Sequence, residues 1–433
     1  MTLPILAATT FCIATAALQI ASSAIAAVRL RRTAFRAVSE SREPPDALAA
    51  QTPKSTTPKS TTPKSTTDRV HPLVSLVRPV CGLDNYAADT LRSTFELDDP
   101  QCEILFCVAS ADDPVVPLVR SLIAAYPKAD ARLLIGDDRV SSNPKLNNVL
   151  KGWRAASHDW IIIADSNVLM PPDYTAQLFA SWREDTGLVA SPPIGCRPRG
   201  FWAEVECAFL NTYEARWQYV ADALGFGFAQ GKTMLWRRAD LERAGGIEML
   251  ANEVAEDAAS TKVVRGAGLK VRLIDRPLAQ PLGHRTAAEV WNRQVRWARL
   301  RRSSFFFYFL PEAISGGALP LIVFALIAPA LGLPVALSVA SFGAVWYGSE
   351  MLLAAAAGWH LSPLSPLYAM ARDLILPVLF VAGLRSDDFV WRGNEMQVEG
   401  VRPRRMMARV RPRLVELAPR ARARLRELRE RMS

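Results

Sequence analysis

The long apolar segment near the start of the sequence constrains the possible structure of this chain most strongly. Residues 3–28 carry no charged side chain, and a helix of that length can cross about 30 Å of hydrocarbon. The run is long for a signal peptide, and no basic segment precedes it. Arginines crowd residues 29–36 directly after it, and short basic segments stay on the cytoplasmic side of a membrane. We therefore expect residues 1–28 to form an N-terminal transmembrane anchor that is followed by a cytoplasmic segment.

The C-terminal part of the chain contains further apolar stretches. Three are long enough to span a membrane: residues 313–331, 334–357 and 363–384. Glu350 interrupts the second stretch and Arg372-Asp373 the third, and because a charge inside a bilayer is costly, these side chains should face protein or water. We expect interfacial and transmembrane helices over residues 304–385 and a basic cytoplasmic tail over residues 386–433. A cytoplasmic tail requires an even number of crossings, so one stretch should be re-entrant, interfacial or buried in protein.

A polar linker follows the anchor, over residues 29–69. It is basic at first and then rich in Pro, Thr and Lys, with three tandem copies of TPKST between residues 52 and 66. No apolar position recurs there, so the segment has nothing to bury. We expect it to be disordered and to act as a flexible spacer after the anchor.

Charge and cysteine usage narrow the class of partners. The net charge of +10 is concentrated after the anchor and in the C-terminal tail. Basic tails beside apolar segments suit an anionic membrane surface, and no nucleic-acid-binding motif is present, so we expect no nucleic-acid partner. The six cysteines form no CxxC pair and the four histidines form no HExxH pair. This pattern indicates a reducing compartment, and it predicts oxygen ligands for any metal.

Residues 70–303 show the pattern of an α/β domain. Buried-strand candidates alternate with helical stretches; the strands are residues 73–80, 103–109, 131–136 and 159–165. Such alternation predicts a Rossmann-like, mostly parallel sheet, and ligands of these sheets bind outside the carboxyl ends of the strands. The fold class is therefore α/β, with transmembrane helices at both ends of the chain.

Polar residues stand at the ends of these strands. Asp165 begins the triplet Asp-Ser-Asn after the fourth strand, where a carboxylate could hold Mg²⁺ or Mn²⁺ against a diphosphate; an Asp there is also a common loop or helix cap. Asp112 and Asp113 close the second strand and could contact a base or ribose, or could cap the next helix. Lys145 lies in the polar loop after the third strand, where it could place a cation near phosphate.

Two later motifs also carry candidate chemistry. Asp257, in the pair Glu256-Asp257, could be a general base that takes a proton from a hydroxyl, or the pair could complement a helix dipole. The sequence RQVRW contains Arg293, Arg296 and Trp297. Guanidinium groups bind diphosphate oxygens well, and an indole can pack on a ligand or anchor a segment at a bilayer surface.

The order of these motifs resembles the lipid-directed enzymes of glycosyltransferase family 2, and most closely the ceramide glucosyltransferases. The resemblance covers about residues 73–303 and rests on an ordered set of motifs: VSLVRPVCGLD, FELDDPQCEILFCV, LLIGDD, NPKLNN, ADSN, AEDAAS and RQVRWARLR. It implies an inverting transferase with a nucleotide-sugar fold that uses a UDP-sugar and a divalent cation. The acceptor would be a lipid hydroxyl at the cytoplasmic face.

The resemblance also implies roles for individual residues. Asp112 or Asp113 would lie by the nucleotide, and Asp165 would lie by the metal and the diphosphate. Asp257 would be the base. Arg293, Arg296 and Trp297 would hold the departing diphosphate and shape the acceptor site, while the basic and aromatic residues after them would lie along the bilayer surface.

The leading interpretation is transfer of a hexose, glucose from UDP-glucose, to ceramide or a similar membrane lipid. The alternatives are transfer of N-acetylglucosamine from its UDP-sugar to a hopanoid polyol, and a polysaccharide synthase, which the small number of spans disfavours. Two positions depart from the family pattern. Glu214 stands where the animal enzymes carry a His, and Asn167 stands where a DXD motif has its second Asp, so substrate handling and metal coordination can both differ.

Overall fold

The computed structural model describes residues 2–40, 71–139, 141–386, 388–391 and 394–397. Most of the expected linker and the basic tail beyond residue 397 lie outside the described residues. The helix that begins at Leu3 continues to Glu40, so it extends well past the expected end of the anchor at residue 28. All six cysteines are free thiols.

A seven-stranded sheet forms the centre of the α/β domain, and its order is β3-β2-β1-β4-β7-β5-β8. The strands of the chain are β1 Val74–Pro79, β2 Glu103–Val108, β3 Ala131–Ile135, β4 Trp160–Ala164, β5 Thr186–Ala190, β6 Pro193–Arg199, β7 Thr233–Arg237, β8 Lys270–Leu273, β9 Leu278–His284, β10 Asp388–Trp391 and β11 Asn394–Gln397. All neighbours in the sheet pair in parallel except β7, which is antiparallel to both β4 and β5. The expected α/β fold with a mostly parallel sheet is confirmed.

The four strands expected from the sequence are β1 to β4, each within two residues of its expected bounds. The rest of the sheet was not expected, because the later strands are short and lack a long apolar run. Two smaller pairs accompany the sheet: β6 pairs with β9 in parallel, and β10 pairs with β11 as a hairpin.

Helices cover both faces of the sheet and continue into the C-terminal apolar region. They are α1 Leu3–Glu40, α2 Ala87–Arg92, α3 Val116–Ala125, α4 Pro144–Ala155, α5 Tyr174–Ala180, α6 Phe201–Ala208, α7 Arg216–Ala223, α8 Arg238–Arg243, α9 Glu256–Gly266, α10 Ala287–Ser304, α11 Phe306–Phe309, α12 Ala318–Ile327, α13 Val335–Ala357 and α14 Ser365–Arg385. A π-helical segment, Phe209–Ala215, joins α6 to α7. The strands β1, β2 and β4 are buried on both faces apart from Trp160, which explains their near-continuous apolar sequences.

Among the described residues, three helices are long and apolar enough to cross a membrane, judged by length and composition: α1 over Leu3–Leu30, α13 and α14. The first of the three C-terminal stretches is different, since its helices Phe306–Ile314 and Ala318–Ile327 meet at a bend of 42°. A bend of this kind occurs in a broken span or in a re-entrant loop, and which of the three stretches does not cross stays a prediction. The N-terminal helix α1 packs against α7, α12 and α13, so it is part of the folded body.

A buried ion cluster connects these helices to the α/β domain. Glu350 on α13 accepts hydrogen bonds from both Nη atoms of Arg372 on α14, at 3.0 Å each. It also accepts one from Gln19 of α1 at 2.8 Å and one from Thr212 of the π-helical segment at 2.7 Å. Arg216 Nη1 lies 3.6 Å from the same carboxylate. Glu350 is 0% exposed. Its contacts connect α13 to α1, the π-helical segment, α7 and α14.

Asp373 completes the cluster and balances its charge. It pairs with Arg372 at 2.7 Å and accepts the backbone N–H of Gly317 at 2.7 Å. Gly317 lies at the bend before α12, and a Cβ there would come within 2.8 Å of Trp346 and 3.0 Å of Asp373. Glycine is therefore required for this close approach. The two carboxylates and the two guanidinium groups of the cluster compensate each other, as buried charges must.

Replacing Glu350 with Ala should strongly destabilise the protein. The substitution leaves Arg372 and Arg216 buried without their shared carboxylate, and breaking a buried pair in this way costs about 3–5 kcal/mol. The melting temperature of the purified protein in detergent, followed by tryptophan fluorescence, should fall clearly. The control is Glu248→Ala, which removes a surface bridge to Arg154 at 3.3 Å between side chains that are 58% and 56% exposed, worth at most about 1 kcal/mol. Equal melting temperatures for the two variants would refute the structural role of the cluster.

Candidate functional site

A cleft with a volume of about 930 Å³ opens where the carboxyl ends of β1 and β4 meet the start of α9 and one side of α10 along its length. That volume lies toward the upper end of the range for small-molecule sites. Six of the eight site residues expected from the sequence line the cleft: Lys145, Asp165, Asp257, Arg293, Arg296 and Trp297. The fold therefore brings together residues that are widely separated in the sequence.

Asp165 lies at the end of β4 and is paired with two lysines. Its Oδ1 is 2.6 Å from Lys145 Nζ and its Oδ2 is 3.0 Å from Lys232 Nζ. Burial alone would raise the pKa of Asp165, but the two ammonium groups hold that pKa well below its usual range. The carboxylate is therefore charged at every physiological pH and organises cations around it.

Lys145 uses all of its donors within the protein. Its Nζ contacts Asp165 Oδ1 at 2.6 Å, Glu256 Oε1 at 2.6 Å and the carbonyl oxygen of Gly231 at 2.6 Å. An ammonium group has three N–H donors, so in this arrangement Lys145 has none left for a phosphate. It links β4, α9 and the segment before β7, and its predicted phosphate contact would require one of these bonds to break.

Gly231 is the backbone centre of this cluster. Its carbonyl accepts from Lys145, and its N–H donates to Asp257 Oδ2 at 3.0 Å. A Cβ at this position would come within 2.8 Å of Glu256 Oε1 and 2.9 Å of Lys145 Nζ. The three side chains can converge here only because residue 231 has no side chain of its own.

Asp257 stands in the first turn of α9 beside a second buried carboxylate, Glu256. Burial and the negative charge of Glu256 raise the pKa of Asp257 to about 6, although Lys145 opposes the shift. Asp257 accepts two backbone N–H groups, those of Gly231 and Ala258. The group is thus held in place and has a pKa close to neutral, as a general base requires.

Asp165 and Asn167 together form a position for a cation. The ammonium of Lys232 bridges them, at 3.0 Å from Asp165 Oδ2 and 3.2 Å from Asn167 Oδ1. Carboxylate and amide oxygens are ligands that Mg²⁺ and Mn²⁺ accept. Within the described ranges, no group of three or more His, Cys, Asp or Glu side chains could hold a metal alone. The two oxygens therefore fit a divalent ion whose remaining ligands are phosphate oxygens and water.

The helix α10 supplies the basic side of the cleft. It begins at a capping box in which Thr286 and Glu289 bond to each other's backbone, and this fixes the direction in which the helix enters the cleft. Arg293 is held by the fully buried carboxylate of Glu206 on α6. Trp297 packs against a small apolar cluster of Cys207, Leu210 and Leu282. The RQVRW motif is therefore positioned by α6 and β9.

Asp112 and Asp113 do not line the cleft. Asp113 accepts the backbone N–H groups of Gly82 and Val115, both at 2.9 Å, and so joins the loop after β1 to the start of α3. Asp112 is exposed. This geometry is that of the capping alternative, and a nucleotide contact for either residue stays a prediction.

Glu214 lies in the π-helical segment and is also outside the cleft lining. Its side chain is buried, and neither carboxylate oxygen has a hydrogen-bond partner within the described ranges. Burial raises its pKa to about 7, with the charges of Arg301, Glu312 and Glu206 as lesser influences. Glu214 is therefore partly protonated at neutral pH.

Several cleft residues were not expected from the sequence. Lys232 and Gly231 precede β7, a strand that the pattern did not predict, so no signal marked them. Arg301 was expected along the bilayer surface. It instead lines the cleft and pairs with Glu312 at 2.5 Å, because a helical turn places it on the same face of α10 as Trp297.

A family model described as Glycosyl transferase family 21 matches residues 13–402. The chain belongs to glycosyl transferase family 21. The match covers α1 from residue 13 onward, the whole α/β domain and the C-terminal helices α11 to α14. The motifs had suggested glycosyltransferase family 2, whereas the matching family model is that of family 21. The resemblance of the motifs to ceramide glucosyltransferases is confirmed.

Curated relatives of this family 21 chain include two proteins of Caenorhabditis elegans. Ceramide glucosyltransferase 1 is 31% identical over 236 residues, which are 54% of this chain and 51% of the relative. Ceramide glucosyltransferase 3 is 27% identical over 332 residues, 75% of this chain and 72% of the relative. The aligned part thus spans about half the length of the first relative.

Solved structures show a more distant likeness to this family 21 chain. A mannosyltransferase from Pyrobaculum calidifontis in complex with GDP-Man and Mn²⁺ is 18% identical with a TM-score of 0.42, over 85% of this chain and 97% of that chain. Glucosyl-3-phosphoglycerate synthase from Mycobacterium tuberculosis is 17% identical with a TM-score of 0.34, over 53% of this chain and 79% of that chain.

Gly231→Ala should destabilise the cleft, because its Cβ would push Glu256 and Lys145 apart. An overpacking change in a tight site costs about 1–3 kcal/mol, so the melting temperature should fall. The matched control is Gly266→Ala at the end of α9, where an added Cβ meets no heavy atom within 4 Å; in a helix this change is neutral or stabilising by up to about 1 kcal/mol. If the two variants have the same melting temperature, a glycine at position 231 is not sterically required at the centre of the cluster.

Proposed function

We propose that this protein is an inverting glycosyltransferase that moves a hexose, glucose from UDP-glucose, to the hydroxyl of ceramide or a similar membrane lipid. The observation that carries the proposal is a single cleft in which Asp257, with its raised pKa, faces the basic helix α10 beside the membrane helices. Membership of family 21 and the similarity to ceramide glucosyltransferases supply the reaction class.

The donor would lie between β4 and α10. Arg293 and Arg296 line the cleft on the α10 side, where guanidinium groups can take diphosphate oxygens and stabilise the charge that develops on the leaving group. A divalent cation that displaced the Lys232 ammonium from Asp165 and Asn167 would supply further positive charge to the same diphosphate. Asp112 or Asp113 would contact the nucleoside from the loop after β2.

The transfer itself needs one base. The bond between the anomeric carbon and the diphosphate oxygen breaks, and the lipid hydroxyl oxygen bonds to that carbon from the opposite face. The hydroxyl proton passes to the Asp257 carboxylate, and the diphosphate leaves with both bonding electrons. No protein nucleophile takes part, so the configuration at the anomeric carbon inverts.

The acceptor would enter from the membrane side of the cleft. Leu300 and Phe305, at the end of α10, line the cleft. The next residues, Phe306, Phe307 and Tyr308, are 42%, 67% and 66% exposed, which is the arrangement expected of aromatic side chains at a bilayer surface. A lipid hydroxyl could therefore approach Asp257 along the end of α10. Two full crossings after this domain, α13 and α14, would return the tail to the cytoplasmic side with the cleft.

The substrates can be identified directly. Membranes that contain the protein should be incubated with UDP-glucose, UDP-galactose and UDP-N-acetylglucosamine against ceramide, diacylglycerol and a hopanoid polyol, with product detection by mass spectrometry. We expect a hexosylceramide from UDP-glucose. An N-acetylglucosaminyl hopanoid would favour the alternative acceptor and donor, and a growing polysaccharide would favour a synthase. If no lipid acquires a sugar, the proposal fails.

Asp257→Asn should nearly abolish transfer, because the amide cannot accept the hydroxyl proton. Loss of a positioned general base lowers the rate by about 10²–10⁴-fold. Transfer of radiolabelled sugar to lipid should be measured for this variant and for Asp130→Asn, a matched change at an exposed aspartate between α3 and β3. Full activity in Asp257→Asn would exclude it as the base.

The pH profile should report the same carboxylate. A base with a pKa of about 6 is active when deprotonated, so kcat/KM should fall tenfold for each pH unit below about 6 and level off above it. Glu256→Gln removes a negative charge that raises the pKa of Asp257, so the acid limb should move to lower pH. An acid limb that stays in place in Glu256→Gln would show that another group controls it.

A further inference from the structure

Lys232 is positioned in the cleft by the antiparallel pairing of two strands. It lies directly before β7, the antiparallel strand that pairs with β4, and its carbonyl oxygen accepts the backbone N–H of Asp165 at 3.0 Å. The strand pairing therefore fixes the position of Lys232 relative to the end of β4. Its side chain is directed into the cleft and bridges Asp165 and Asn167.

The two lysines beside Asp165 differ in what they can still bind. Lys145 has all three N–H donors engaged, whereas Lys232 makes two hydrogen bonds within the described ranges. One N–H of Lys232 therefore remains for a ligand. Lys232 is also 9% exposed, and an ammonium in such a desolvated position interacts strongly with an anion. Of the two, Lys232 is the one equipped to contact a phosphate.

The bridging position is also the one that suits a metal. A divalent ion would bind the same two oxygens, Asp165 Oδ2 and Asn167 Oδ1, and could reach them only by displacing the ammonium. Asn167 is a neutral ligand, so this pair carries one negative charge instead of the two of a DXD motif. The weaker charge favours a singly charged ammonium over a divalent ion relative to a two-carboxylate site.

We propose that Lys232 is a donor-binding residue that occupies the cation position between Asp165 and Asn167 and contacts the diphosphate of the sugar nucleotide. It follows that the protein binds a nucleoside diphosphate without a divalent cation, and that Lys232 and a divalent cation compete for the same oxygens. The inference rests on the proposed use of a nucleotide-sugar donor, and it names a residue that the family motifs do not contain.

Two binding measurements on the purified full-length protein test it. UDP affinity is measured by isothermal titration calorimetry in EDTA, and Mn²⁺ affinity is measured without nucleotide by electron paramagnetic resonance of the free ion. Lys232→Met should bind UDP at least about tenfold more weakly in EDTA, the change expected when one charge-assisted hydrogen bond is lost. The same variant should bind Mn²⁺ at least about tenfold more tightly, because its competitor is gone.

The controls separate the possible failures. Lys128→Met, which removes the same charge from an exposed position between α3 and β3, should match the unaltered protein in both measurements. Lys232→Arg should retain UDP binding in EDTA, which distinguishes loss of the cation from loss of folding. Unchanged UDP affinity in Lys232→Met would overturn this inference and leave the proposed function intact. If the unaltered protein fails to bind UDP both in EDTA and in Mn²⁺, the inference falls together with the proposed UDP-sugar donor.

Discussion

The bidentate pair between Glu350 and Arg372 holds the membrane helices and the α/β domain in one body. It is fully buried, and its further partners come from α1 and the π-helical segment. A buried pair of this kind adds little net stability over an apolar one, but breaking it is costly. The pair instead fixes how these helices are arranged relative to one another. The π-helical segment continues directly from α6, and α6 carries Glu206, which holds Arg293 in the cleft. A salt bridge between the two candidate membrane helices α13 and α14 is therefore connected by packed elements to the basic side of the site.

Charge compensation also organises the cleft itself. Asp165 and Glu256 are each paired with Lys145, and burial followed by the charge of Glu256 raises the pKa of Asp257 to about 6. The Nζ atom of Lys145 contacts Glu256 and makes no ion pair with Asp257 among the described residues, so two adjacent acids in one helical turn have different surroundings. Arg293 and Arg296 of α10 line the same cleft. The proposed division between a base at α9 and a leaving-group site at α10 follows from where these ion pairs lie.

The sequence predicts those parts of the protein that depend on local pattern. The apolar strand before Asp165 and the alternation of strands and helices placed β1 to β4 correctly. Glu350 and Arg372 were expected to face protein or water, and both are buried in protein. Contacts across the sheet could not be predicted: Lys232 reaches Asp165 through an antiparallel pairing between segments far apart in the chain. Asp113 was predicted from the sequence but does not line the cleft. An aspartate at the end of a strand has the same sequence pattern whether it binds a ligand or caps a loop. The bend at Gly317 likewise depends on Asp373, which lies on another helix.

The anomeric configuration of the glycolipid tests the central claim most directly. The protein should be reconstituted with ceramide and UDP-glucose, in which the sugar is α-linked, and the product should be examined by proton NMR. A single base and no protein nucleophile predict one inversion, so the anomeric proton of the product should show the large coupling of a β-linked glucoside. An α-linked product would contradict the account, because it would require either a nucleophile or front-face attack that the roles given to Asp257 and α10 do not provide.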